Sequence, residues 1–178
     1  MATNLLKKYN EFLELLHLNE HQRTISLRGV FDRDIANNDQ FIFRSKIIRP
    51  LKKEGFIDIE SLFSHLTKKT EDLTDETGKK IKSRSAFDID RSKRIHWIWP
   101  HMQEFKKDNF EVFSYSDRKN GKDVIHTYLF DLDEDYIVVL EPQRSNQDYY
   151  LLSAYYLNEN WAKKNMRKKL KRKLPIVY

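Results

Sequence analysis

The chain has 178 residues and carries 33 Lys and Arg against 27 Asp and Glu, a formal net charge of +6 that favours anionic partners such as nucleic acid. It contains no cysteine, which excludes disulfides, thiolate metal sites and thiol catalysis. Aromatic residues make up 13%, enough to build a core and too many for a disordered chain. No apolar run approaches the ~18 residues of a membrane span, and no signal-peptide-like block opens the chain, so cytoplasm is the expected compartment and no membrane partner is expected.

Leu5, Leu6, Tyr9, Phe12, Leu13 and Leu16 recur at helical spacing and predict an amphipathic helix over 3–18, capped by Thr3 or Asn4. His17 and His21 are four apart but have no third ligand candidate, and no metal site or other cofactor is expected. Phe41-Ile42-Phe43 reads as a short strand. Asp58 is placed to cap a helix whose buried stripe is Leu62, Phe63 and Leu66, and on which His65 is a half-buried residue.

Residues 68–85 are poor in apolar side chains and read as a linker or mobile loop. They divide a mainly helical region, 1–67, from an α+β region, 86–178. A helix is expected to begin near Phe87 or Asp88, with a bend at Pro100. Four strands follow: 110–116, 124–130, 136–141 and 148–157. Asn120-Gly121 supplies a two-residue hairpin turn between the first two. In the last strand Tyr149, Leu151, Ser153 and Tyr155 are assigned to one face. A closing helix, capped by Asn158, runs through Trp161, Met166 and Leu170, and eight Lys or Arg fall between Lys163 and Lys173 with no acid among them. The expected architecture is therefore α+β: N-terminal helices, then a four-stranded antiparallel meander, then a basic C-terminal helix.

Arg91-Ser92-Lys93-Arg94-Ile95-His96-Trp97-Ile98-Trp99-Pro100 resembles the Arg-x-x-Arg-Ile-Pro-Trp-Ile-x-Pro segment of a phage-borne nuclease-like group placed with barnase, EndoU, colicin-type and RelE nucleases. The stretches Tyr136–Leu140 and Tyr149–Tyr155 look like that group's later strands, and Lys168–Lys173 like its basic helix. The resemblance covers roughly residues 86–173, with His96 standing where the group has proline. It implies a RelE/barnase-like fold and a nuclease activity.

RNA is cleaved without metal when a ribose 2′-hydroxyl attacks the adjacent phosphorus, which needs a base, an acid and donors for the phosphate charge. Arg91 and Arg94 are three apart and suit one phosphate, since a guanidinium offers a planar fork of donors. His96, His101 and His126 are the candidate proton carriers, and His96 is the first choice on its position in the motif; the alternative is that it caps the core beside Trp97. Ser153 and Tyr155 share a strand face and complete the catalytic set. Lys93, His126, Arg144, Lys168, Lys169 and Arg172 form the RNA-binding set. Glu141, at a strand end, is a base candidate or a solvent-facing hairpin residue. The function expected is a toxin-type endoribonuclease acting on single-stranded RNA or tRNA, with an antitoxin or immunity protein as a partner. The alternatives are a nucleic-acid-binding module without chemistry and a phage or mobile-element interaction protein.

Overall fold

The structure, a computed structural model, describes residues 2–50, 52–53, 56–74, 77–119, 121–143 and 147–178. Its centre is a six-stranded mixed sheet in the order β1-β2-β10-β9-β8-β7, built from β1 (Ile42–Phe43), β2 (Lys46–Arg49), β7 (Phe110–Lys119), β8 (Lys122–Asp131), β9 (Tyr136–Pro142) and β10 (Asp148–Tyr156). Two small antiparallel sheets stand apart from it: β3 (Lys52–Lys53) with β4 (Phe56–Ile57), and β5 (Lys68–Thr74) with β6 (Lys80–Phe87).

This corrects the expected architecture. The strands β7 to β10 do run antiparallel in sequence order. They are not a free-standing meander after a helical region, because β2 joins β10 in parallel and brings β1 with it. The helices are also interspersed: α1 (Glu20–Phe31), α2 (Ile59–Thr67), α3 (Ile89–Ser92), α4 (Ile98–Met102) and α5 (Asn160–Lys171). A RelE/barnase-like arrangement of N-terminal helices on a four-stranded sheet is therefore not the fold of this chain. Residues 68–85, expected as a linker, lie largely in the β5–β6 hairpin; they look structureless in sequence because most of their side chains meet solvent on both faces.

The N-terminal segment departs from the expected helix for a tertiary reason. After a 3-10 turn at Ala2–Leu6 the chain is irregular until Asn19, whose side chain caps α1 in a reciprocal bond with Gln22. Long-range partners hold the irregular backbone. The Asn4 amide bonds both the N–H and the carbonyl of Glu14, and the Lys93 carbonyl accepts from Leu13 N–H. Backbone polar groups under a packed surface need such partners, and here side chains supply them in place of a helix ladder.

The two faces of the large sheet are covered unequally. One core packs α1, α2, α4 and the Ile95–Trp97 turn on Leu129, Tyr136, Val138, Leu140, Tyr149, Leu151 and Ala154. On the other face, Met166 and Leu157, with Ala162 and Leu170 beside them, cover Phe113, Tyr128, Phe130, Ile137 and Val139. A bulge in β10 between Leu151 and Ser153 decides which side chains go where. It leaves Tyr149 and Leu151 in the first core but turns Ser153 and Tyr155 to the α5 side, so the four residues assigned to one face are split between two. The helix expected from residue 87 is broken into α3, the 3-10 turn Ile95–Trp97 and α4, with Pro100 in the first turn of α4, where its missing N–H does no harm.

A buried polar knot fastens the corner of the sheet. Asp131 is fully enclosed and accepts from Tyr9 Oη, from Lys106 Nζ at 2.6 Å and from the backbone N–H groups of Asp133 and Glu134; His101 Nε2 lies 3.3 Å away. Burial alone would raise the Asp131 carboxyl, but the bonds from His101, Lys106 and Tyr9 outweigh it and hold the carboxyl well below the usual range. Among the described residues, no helix is long and apolar enough to cross a membrane.

Candidate active site

Beyond Tyr150 the outer edge of β10 is no longer paired with β2, and α2 and α3 meet it instead. Asp58 caps α2 through Ser61 N–H, and Asp88 caps α3 through Arg91 N–H. These two short helices place Arg91 and His65 at the sheet edge. Arg91 Nη1 donates to Ser153 Oγ at 3.0 Å and to the His65 carbonyl, and its guanidinium lies 5.6 Å from the Tyr155 ring centroid. Arg91, Ser153 and Tyr155, drawn from segments more than sixty residues apart, therefore do converge. Burial lowers the affinity of Arg91 for its proton, although Asp88 offsets part of this.

His65 is the group on this edge that the sequence underrated. Burial lowers its pKa, the nearby charge of Arg84 lowers it further, and the Leu152 carbonyl at the bulge favours the protonated ring only in part. The helical spacing around His65 predicts a half-buried residue, which it is; nothing local announces that Arg84 and Arg91 will stand beside it.

Two strands across, a second cluster occupies the same face. His126 Nδ1 lies 2.8 Å from Asp117 Oδ2, and its Nε2 has no hydrogen-bond partner and sits 3.8 Å from Glu141 Oε2. Asp117 also accepts from Tyr128 Oη and from Lys169 Nζ, so Nδ1 is the donor to the carboxylate and Nε2 is the open nitrogen. Burial opposes ionisation of Asp117, but its bonds to Lys169, Tyr128 and His126 bring its pKa below the ordinary value. Tyr155 stands between the clusters: burial raises its phenol, the charge of Arg91 lowers it and that of Asp117 raises it. A pocket of about 350 Å³ opens beside Arg91, with Lys69, Asp90, Tyr155, Tyr156 and the exposed Trp161 among its walls.

The remaining sequence candidates lie elsewhere. Arg94 is buried, with its guanidinium 4.2 Å from the Tyr156 ring centroid and 4.7 Å from that of Phe12, and it donates to the Asp90 carbonyl. Lys93 pairs with Asp90 at 2.8 Å. Lys168 on α5 and Arg172 just past its end are exposed, while Lys169 points inward to Asp117. Arg144 and Asn120 lie outside the described residues. Among the described residues no three His, Asp or Glu side chains are arranged to hold a metal ion.

His96 is not among the converging groups. It is buried, and its Nε2–H donates to the carbonyls of Lys8 and Glu11 at 3.2 and 3.0 Å, beside Trp97 Nε1–H, which also donates to Glu11. It is a clasp for the irregular N-terminal segment. Burial pushes its pKa down to about 4. A histidine lowered on folding opposes the folded state once the unfolded chain takes up a proton. Stability is therefore full above the ordinary value of about 6.5 and falls as pH drops towards 4, by about 3 kcal/mol for this one group. Urea unfolding at pH 7 and pH 4.5 should show a stability loss that is clearly smaller in His96→Gln; equal losses in the two proteins would rule the assignment out.

The chain matches no protein-family model, no curated protein and no solved structure.

Proposed function

We propose that the chain is an endoribonuclease that cleaves RNA by attack of a 2′-hydroxyl on the adjacent phosphorus, without need of a metal ion. The observation that carries this reading is His126. Asp117 orients its Nδ1 while Nε2 is left unpartnered, on the same sheet face as the Arg91–Ser153 pair. The resemblance of the segment from Arg91 to Pro100 to a nuclease group supports the same reading.

Two histidines divide the proton work. His65, kept neutral by burial and by neighbouring guanidiniums, takes the proton of the attacking 2′-hydroxyl. His126 acts as the imidazolium: Asp117 holds its Nδ1–H, and the proton on the open Nε2 passes to the leaving 5′-oxygen, leaving the neutral ring. The O2′–P bond forms and the P–O5′ bond breaks, leaving a 2′,3′-cyclic phosphate and a 5′-hydroxyl. The strands that carry Ser153 and His126, β10 and β8, lie on either side of β9, two spacings or roughly 10 Å apart. Arg91 and Ser153 hold the phosphate oxygens, and the exposed Trp161 offers a face on which an unpaired base can stack. A toxin role with a neutralising protein partner belongs to the same proposal.

Labelled single-stranded RNA incubated in chelator should yield cyclic-phosphate ends, and the matching DNA, which lacks the nucleophile, should stay whole. His65→Ala and His126→Ala should each slow cleavage by about 10²–10⁴-fold with little change in thermal unfolding. The acid limb of the wild-type profile should lie below about 6.5, because the base has a lowered pKa. Expression of the wild-type chain, but not of His126→Ala, should arrest growth. Intact RNA, or histidine variants as active as wild type, would remove the proposal; RNA bound but uncut would leave a binding module in its place.

A further inference from the structure

The β5–β6 hairpin touches the core only at its foot, through Phe87, and it springs from the two elements that hold Arg91. Its first strand leaves the end of α2, and its second runs through Phe87 into the Asp88 cap of α3. The pairing Thr70↔Arg84, Asp72↔Lys82 and Thr74↔Lys80 is uninterrupted, so Lys80, Lys82 and Arg84 stand in one row on one face of β6. Arg84 marks the foot of the row. Its Nη1 donates to the Lys68 carbonyl at 3.0 Å, and it is close enough for its charge to act on both His65 and Arg91. Lys80 and Lys82 continue outward and are exposed.

We propose that this row is a binding track for an unpaired RNA strand, which it delivers to Arg91; the inference rests on the nuclease reading and names its substrate as RNA with a single-stranded extension. Cations on alternate residues of a strand repeat at roughly 7 Å, a spacing comparable to that of successive phosphates along an extended strand. The one acid among the paired positions of that face is Asp72, opposite Lys82, so the face keeps an excess of positive charge. A fully solvated charged hairpin needs no such order. Here the row is aligned, unbroken and rooted at the guanidinium that meets Ser153. The opposite face of the ribbon carries Glu71, Leu73, Ile81 and Ser83 and offers no comparable row.

The test compares wild type with the double variant Lys80→Gln and Lys82→Gln, which keeps side-chain length and removes charge, on a dinucleotide and on a long unstructured oligouridylate. The variant should cut the dinucleotide as wild type does and the oligomer with a kcat/KM about tenfold lower. Its affinity for the oligomer should depend less steeply on salt, with a log–log slope smaller by about 1.4, the loss of two single-strand phosphate contacts. Equal effects on both substrates, or none on the oligomer, overturn the track. If wild type cuts neither substrate, the nuclease reading fails instead. The salt slope of oligomer binding then decides the track alone, and an unchanged slope in the double variant refutes it.

Discussion

Arg91→Lys is expected to cleave RNA about 10²–10³-fold more slowly than wild type, with most of the loss in kcat. Lysine keeps the charge but not the planar fork that reaches Ser153 Oγ and the His65 carbonyl from one nitrogen while leaving others for phosphate. The guanidinium is largely withdrawn from water, so its donors are aimed before substrate arrives. Two hydrogen bonds are at stake in the fold as well, and their loss should cost about 1–3 kcal/mol, visible as a modest fall in unfolding temperature. The decisive comparison is between activity and folded fraction at assay temperature. A rate loss that merely tracks unfolding would reduce Arg91 to a structural strut.

Asp131→Asn should destabilise the fold strongly, by about 3 kcal/mol, because it removes the charge that compensates Lys106 and the acceptor shared by Tyr9 and His101. For a chain of this length that corresponds to a fall of roughly 6–12 °C in midpoint. The sign with pH follows from the lowered carboxyl. Its stabilisation is complete above the unfolded value of about 3.9 and disappears as pH falls through the folded one, so the gap between wild type and variant should close in strong acid. The His96 effect falls in a different window, between about 6.5 and 4, so the two can be read from one titration. A variant as stable as wild type at neutral pH would show that water can replace the knot.

What was legible in the sequence was local. Apolar runs and the turn at Gly121 announce β7 to β10, and Asp58 announces α2, because both signals act within a few residues. The parallel partnership of β2 with β10 leaves no trace in either segment. Nor does the use of Asn4, His96 and Trp97 to hold residues 8–14, which turns a helical repeat of leucines into an irregular strap. The site divides along the same line. Arg91, Ser153 and Tyr155 could be paired from motif position and strand parity, although the bulge at Leu152 made that parity correct for Ser153 and Tyr155 and not for their neighbours. His126 was visible as a strand histidine, but Asp117 and Glu141 become its partners only through cross-strand register. His96 misled because a histidine inside a functional-looking motif can serve the backbone.

The pairing of Ile47 with Asp148 has a consequence for how the molecule is made. During synthesis the first hairpin emerges with one flank vacant, and its neighbour arrives only about a hundred residues later. Until then the open backbone edge of β2 is an adhesive seam, and closure must wait for a long, entropically costly loop. Birth on the ribosome is therefore the moment at which this chain is most exposed to wrong company, since its centre waits for β10, about a hundred residues behind β2.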